Sequence, residues 1–330
     1  PWRADRLWSA AGAGLRGMDG GGARRQGGGE ESGREVYLRA VRDAIRGGGC
    51  NTSRAGTIGA VLAATVTSIS FRQIGWIMIA MIAVRSAAMG FNRLVDRHLD
   101  SANPRTCERE LPRGAMSVIS VGTFIIASSG VFVLAAHKLN PICFQLSPVA
   151  LAVVFFYSYT KRFTWGSHLV LGLCLSLAPL GAWVAITGRI DFPPLVLGFA
   201  VLFWVAGFDV LYACQDQDFD RTIGLHSIPA RFGLVGALNV ARMFHGLAVG
   251  FMLVLAYVME LNLLYMAGVG VITVLLFFEH RMVRADDLTK VNTAFLTMNS
   301  VVSVVYFLFT VADLLLLGEW SNIQLMTGKL

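Results

Sequence analysis

Nine apolar runs, at about 57–70, 74–92, 116–136, 146–160, 166–187, 194–213, 234–259, 262–278 and 295–317, dominate this 330-residue chain. A hydrocarbon layer ~30 Å thick takes roughly 20 helical residues to cross; several runs approach that length, and the first and fourth are short. The expected fold is all-α, a polytopic membrane protein of about nine transmembrane helices over residues 57–330. Composition agrees, with 55% hydrophobic residues, 15% charged and a mean hydropathy of +0.60. Those values argue against a large soluble domain.

Lysine and arginine are spread unevenly over the loops. Arg93, Arg97, Arg105, Arg109, Arg113, Lys161, Arg162, Arg221, Arg231, Arg281, Arg284 and Lys290 fall on one side, and only Arg72, Lys138, Arg189 and Lys329 on the other. Twelve against four is a positive-inside asymmetry, which assigns the first side to the cytoplasm. The net charge of +7 therefore reflects topology. No basic stripe interleaved with aromatics lies outside the runs, which argues against a nucleic-acid partner.

Residues 1–56 are of another kind, Gly- and Arg-rich with ten Arg, no Lys and six acids. Such a tract cannot bury a core, and it is expected to be disordered or the product of a misplaced gene start. It lacks the apolar stretch of a signal peptide. Gly12, Gly14 and Gly17 spell GxGxxG with no strand before them, which reads as chance in a Gly-rich tract. The five scattered cysteines and six histidines show neither disulfide nor zinc spacing.

Acidic residues at bilayer depth are costly, yet two sets end apolar runs here. Asn92, Asp96 and Asp100 are spaced i, i+4, i+8; Asp209, Asp216 and Asp220 are spaced i, i+7, i+11. On helices of 3.6 residues per turn each set occupies one stripe. Like charges repel, so the economical reading is a multivalent cation between the sets. All-oxygen ligands point to Mg²⁺, which usually shares its coordination sphere with phosphates. The segment Asn103 to Gly114 supplies Arg105, Arg109 and Arg113, whose forks suit phosphate oxygens. Tyr212 and Gln215 border the second stripe. Lys161 and Arg162 end the fourth run on the same side, Arg162 reading as an ordinary interfacial anchor. His98 points off the first stripe and reads as solvated. Acids inside spans also mark ion pathways, so a divalent-cation transporter or channel is the alternative, although it predicts acids spread through the membrane depth.

Asn92 to Asp100, Arg105-Thr106, the Tyr-Thr-Lys-Arg of 159–162 and Asp209 to Asp220 resemble the UbiA superfamily of intramembrane aromatic prenyltransferases over residues 73–320. The resemblance implies nine helices around a central chamber that takes an isoprenoid tail from the lipid bilayer. It implies an integral membrane enzyme, in a bacterial inner membrane, with its site facing the cytoplasm. Polyprenyl diphosphate and an aromatic acid are the implied substrates, in ubiquinone or menaquinone biosynthesis. Mg²⁺ on Asp96, Asp100, Asp216 and Asp220, with Asn92, Arg105, Lys161 and Tyr212 on the diphosphate, is the implied arrangement. Arg93 stands where many members have Asp, and Arg-Glu-Leu-Pro replaces Arg-Pro-Leu-Pro in the lid. These variants resemble the branch labelled 4-hydroxybenzoate polyprenyltransferase, part of which uses 1,4-dihydroxy-6-naphthoate, so either acceptor is compatible. The first family helix, longer than 57–70, is expected to be truncated or replaced here. Arg85, two turns before Asn92, and Asp209 are candidates for binding the acceptor's carboxylate and orienting or deprotonating its phenol; a structural pairing of the two, or of Arg85 with another buried acid, is the other reading.

Overall fold

The computed structural model describes residues 49–289, 291–293 and 297–317. Ten helices carry the described chain: α1 Gly49–Ala63, α2 Phe71–Ala102, α3 Val118–Leu139, α4 Pro141–Thr160, α5 Ser167–Thr187, α6 Phe192–Ala213, α7 Gln217–Ile223, α8 Ile228–Val258, α9 Leu263–Met282 and α10 Asn299–Leu316. Residues 291–293 add a single helical turn, and no strand forms among the described residues. Eight helical segments, with α6 and α7 counted as one, are long and apolar enough to cross a membrane. The protein is a polytopic membrane protein. Large apolar side chains, among them Phe71, Ile119, Ile126 and Tyr257, are exposed on its outer surface.

Local sequence explains the boundaries. Ser70 starts α2 with a reciprocal capping box, its hydroxyl accepting from the Gln73 N–H while the Gln73 side chain accepts from the Ser70 N–H. Asn140 caps α4 just before Pro141, whose missing N–H costs nothing at that position. Gly188 and Gly224 end α5 and α7 in the left-handed conformation that glycine adopts without a Cβ clash.

The α6–α7 segment is the centre of the bundle, with 67% of its apolar window buried against 17% for α4. A Cβ on Gly172 of α5 would lie 2.3 Å from the Leu202 carbonyl oxygen of α6. The missing side chain lets these antiparallel helices touch, and one turn from Gly172 the contact carries His168 to Asp209.

Two expectations are corrected. The described chain opens with α1, Gly49–Ala63, so 49–56 are helical instead of disordered; residues 1–48 lie outside the described residues. The Gly/Arg composition hid this because the packing partners are remote in sequence. Arg54 donates to the Ser300 carbonyl and the Ser303 hydroxyl of α10, and a Cβ on Gly59 would sit 2.5 Å from the Pro179 oxygen of α5. α1 is present, and it is a well-packed element. The second correction concerns the stripe of Asp209, Asp216 and Asp220, which is not one continuous α-helix. A 3₁₀ turn over Cys214–Asp216 separates α6 from α7, so Asp209 and Asp216 serve different neighbours.

Candidate active site

A cavity of about 780 Å³ runs along α2 between α3, α4, α5 and α6. Ile77, Met81, Val154 and Leu177 represent its apolar wall, and Arg85, Asn92, Arg93 and Arg109 are polar members of its lining. Arg85 lies seven residues before Asn92, roughly 10 Å deeper along α2. It lines the chamber wall.

The polar end is a mouth in which carboxylates from two helices meet arginines. Asp96 accepts from the Asn92 amide at 3.0 Å and from Arg162 at 2.9 Å; Arg162 also donates to the carbonyl oxygens of Ser158 and Val95. Arg162 therefore clasps the first acidic cluster and is more than the interfacial anchor its position suggested. Arg109 reaches back from the lid to both oxygens of Asp100 at 2.8 Å. Arg105 reaches the other way, donating through Nε to Asp216 at 3.0 Å and through a terminal nitrogen to the Tyr212 hydroxyl at 2.8 Å, over the Tyr212 ring. Asn103 adds a 3.3 Å amide contact to the same Asp216 oxygen. The segment between α2 and α3 thus bridges the two clusters. Burial acts to lower the Arg105 pKa, and the Asp216 contact and charge reverse it, leaving Arg105 above its usual value.

Lys161 caps the C-terminus of α4, its carbonyl accepting from the His226 N–H, and it lies within electrostatic reach of Asp96, Asp209 and Asp220. Asp209 pairs with His168 at 2.6 Å and not with Arg85, which removes the structural pairing of those two. His168 was missed because a lone histidine just inside an apolar run carries no spacing signal. Gln215 donates to the Tyr212 carbonyl, and His98 is exposed as expected.

Asp96, Asp100 and Asp216 each meet an arginine at this end, but among the described residues no three His, Cys, Asp or Glu side chains converge as a metal-ligand set. Asp220 keeps a buried oxygen, Oδ2, with no hydrogen-bond partner, although the residue is only 2% exposed. An orphaned carboxylate oxygen beside other carboxylates, in an all-oxygen set, fits a hard divalent cation.

Other intramembrane polar groups serve the scaffold. Both oxygens of Asp313 accept backbone N–H groups at the start of α9, from Asn262 and Tyr265. Arg242 bonds Asn239 at the surface, and His245 pairs with His280 inside the bundle.

An apolar chamber among membrane-type helices, with carboxylates and the arginines of the α2–α3 segment at one end, is the arrangement against which known proteins can be compared. The chain belongs to the UbiA prenyltransferase family, whose model matches residues 55–301. It is 29% identical over 229 residues to a 4-hydroxybenzoate octaprenyltransferase of Nitrosospira multiformis, covering 69% of this chain and 79% of that protein. A UbiA homologue from Aeropyrum pernix superimposes with a TM-score of 0.73 at 28% identity, covering 80% of this chain and 97% of the other. A second, from Archaeoglobus fulgidus, solved with DMAPP and Mg²⁺, gives a TM-score of 0.65 at 20% identity, covering 85% and 99%. The chain is a membrane-embedded prenyltransferase, which sets aside the transporter alternative.

Proposed function

We propose that this protein transfers a polyprenyl group from polyprenyl diphosphate to the ring of an aromatic acid carrying a phenolic hydroxyl. 4-Hydroxybenzoate is the favoured acceptor, and 1,4-dihydroxy-6-naphthoate shares the groups that Arg85 would recognise; the products belong to ubiquinone or menaquinone biosynthesis. The observation that carries this reading is the segment that joins both acidic clusters beside a chamber lined by the half-buried Arg85. The positive-inside asymmetry supports a mouth that opens to the cytoplasm.

Asp96, Asp100, Asp216 and Asp220 would hold Mg²⁺, which neutralises the departing diphosphate when bound. Arg105, Arg109 and Arg162 bring forked donors to the same mouth, and the forks that now grip carboxylates are equally suited to phosphate oxygens. Asn92, Lys161 and Tyr212 complete the anion-binding rim. The isoprenoid lies along the apolar wall, which keeps water from the allylic cation that forms as the C–O bond breaks. Arg85 holds the acceptor's carboxylate about two turns below the mouth, and Asp209 orients the hydroxyl so that a ring carbon ortho to it faces the cation. Bond formation at that carbon and loss of its proton complete the transfer.

The reading is tested in membranes with radiolabelled long-chain polyprenyl diphosphate, Mg²⁺ and either acceptor, with Asp96→Ala as control. Product that depends on Mg²⁺ and disappears in the control is expected with one acceptor. Absence of product from both acceptors, with the protein folded in the membrane, would overturn the acceptor class.

A further inference from the structure

His168 stands one turn from the Gly172 contact between α5 and α6, wholly buried, and both of its ring nitrogens are engaged. Nε2 faces the backbone N–H of Ile228 at 3.4 Å, and a backbone N–H only donates. Nε2 must therefore accept, which puts the imidazole proton on Nδ1. Nδ1–H then donates to Asp209 Oδ2, 2.6 Å away, in a short hydrogen bond to a carboxylate. In this tautomer the imidazole has no lone pair facing Asp209, so it cannot take a proton from it. What it does is fix the carboxylate.

The consequence is an asymmetric Asp209. Oδ2 is occupied, whereas Oδ1 has no hydrogen-bond partner among the described residues, and the side chain keeps 16% exposure. Asp209 directly follows Phe208, a chamber-wall residue, on α6. We infer that His168 is a positioning residue for the transfer: it holds Asp209 by one oxygen and leaves the other for the acceptor's hydroxyl. This rests on the proposed aromatic acceptor.

The same histidine joins this carboxylate to the second acidic cluster. Ile228 opens α8 directly after a loop in which the Leu225 N–H reaches the Asp220 carbonyl and the His226 N–H reaches that of Lys161. His168 thus has two separable contacts, one serving Asp209 and one anchoring α8. Two substitutions split them. Asparagine places its amide nitrogen where Nδ1 stands and forfeits the Nε2 contact; glutamine places its amide where Nε2 stands and forfeits the Asp209 contact.

The experiment measures acceptor and diphosphate kinetics of full-length wild type, His168→Asn and His168→Gln in membranes, with melting temperatures in detergent. Losing a hydrogen bond to a charged group should lower kcat/KM for the acceptor about 10- to 100-fold in His168→Gln. His168→Asn should stay within about threefold of wild type, and the diphosphate KM should hold steady in both. Equal activities, or a glutamine variant as active as the asparagine variant or more so, overturn the inference and make His168 an anchor of α8. A wild-type protein with no turnover on either aromatic acid brings down the acceptor reading, and this inference with it.

Discussion

The mouth formed by α2, the lid and α7 and the polar seam shared by α8, α9 and α10 contain the same kinds of side chain, partnered in different ways. In the mouth, Asp96, Asp100 and Asp216 meet arginines whose side chains are 22%, 32% and 35% exposed. In the seam, Asp313 is fully buried on backbone N–H groups, and Glu279 and Asn299, each 1% exposed, bond one another while Asn299 also takes the Trp204 indole N–H. A half-exposed arginine on a flexible stem can exchange one anion for another. A backbone N–H at a helix start cannot. Buried polarity alone therefore does not distinguish the candidate site from the scaffold; exchangeable charged partners do.

Four substitutions test that contrast, in descending order of expected effect. Asp216→Asn removes the charge gripped by Arg105 and should reduce turnover about 10²- to 10³-fold, with the melting temperature in detergent nearly unchanged. A large drop in melting temperature would put Asp216 with the scaffold. Asp313→Asn should do the reverse, because an amide NH₂ facing a backbone N–H leaves a buried donor unsatisfied. Its cost is about 2–3 kcal/mol of stability, read in thermal or denaturant unfolding, with turnover per folded molecule preserved. Arg85→Leu, on the chamber wall, should raise the acceptor KM about tenfold and spare the diphosphate KM. Equal loss of both would move Arg85 out of the acceptor site. Glu110→Gln breaks a 3.4 Å pair with Arg93 in which both partners are about one-third exposed. Stability should change by less than about 0.5 kcal/mol, since solvent screens such pairs.

Much of the site was legible from spacing. Asn92, Asp96 and Asp100 recur every four residues on one helix, and α2 runs unbroken through all three, so helical periodicity was enough. The second cluster misled because the same rule was applied across Cys214–Asp216, where the chain tightens to a 3₁₀ turn. Arg162 was legible as a residue on the right side of the membrane but not as the partner of Asp96, 66 positions earlier. His168 gave no signal at all, since its roles are defined by Asp209 and Ile228, 41 and 60 residues away.

The sequence by itself determined the membrane class, the order of the spans and the two acidic clusters at one end, because hydropathy and helical periodicity are local properties that no distant contact reverses. Tertiary structure alone decided how α1 packs, which arginine clasps which carboxylate and that Asp209 answers to His168. Those depend on close approaches between helices, at Gly59 against Pro179 and Gly172 against Leu202, and only three-dimensional packing brings such residues together.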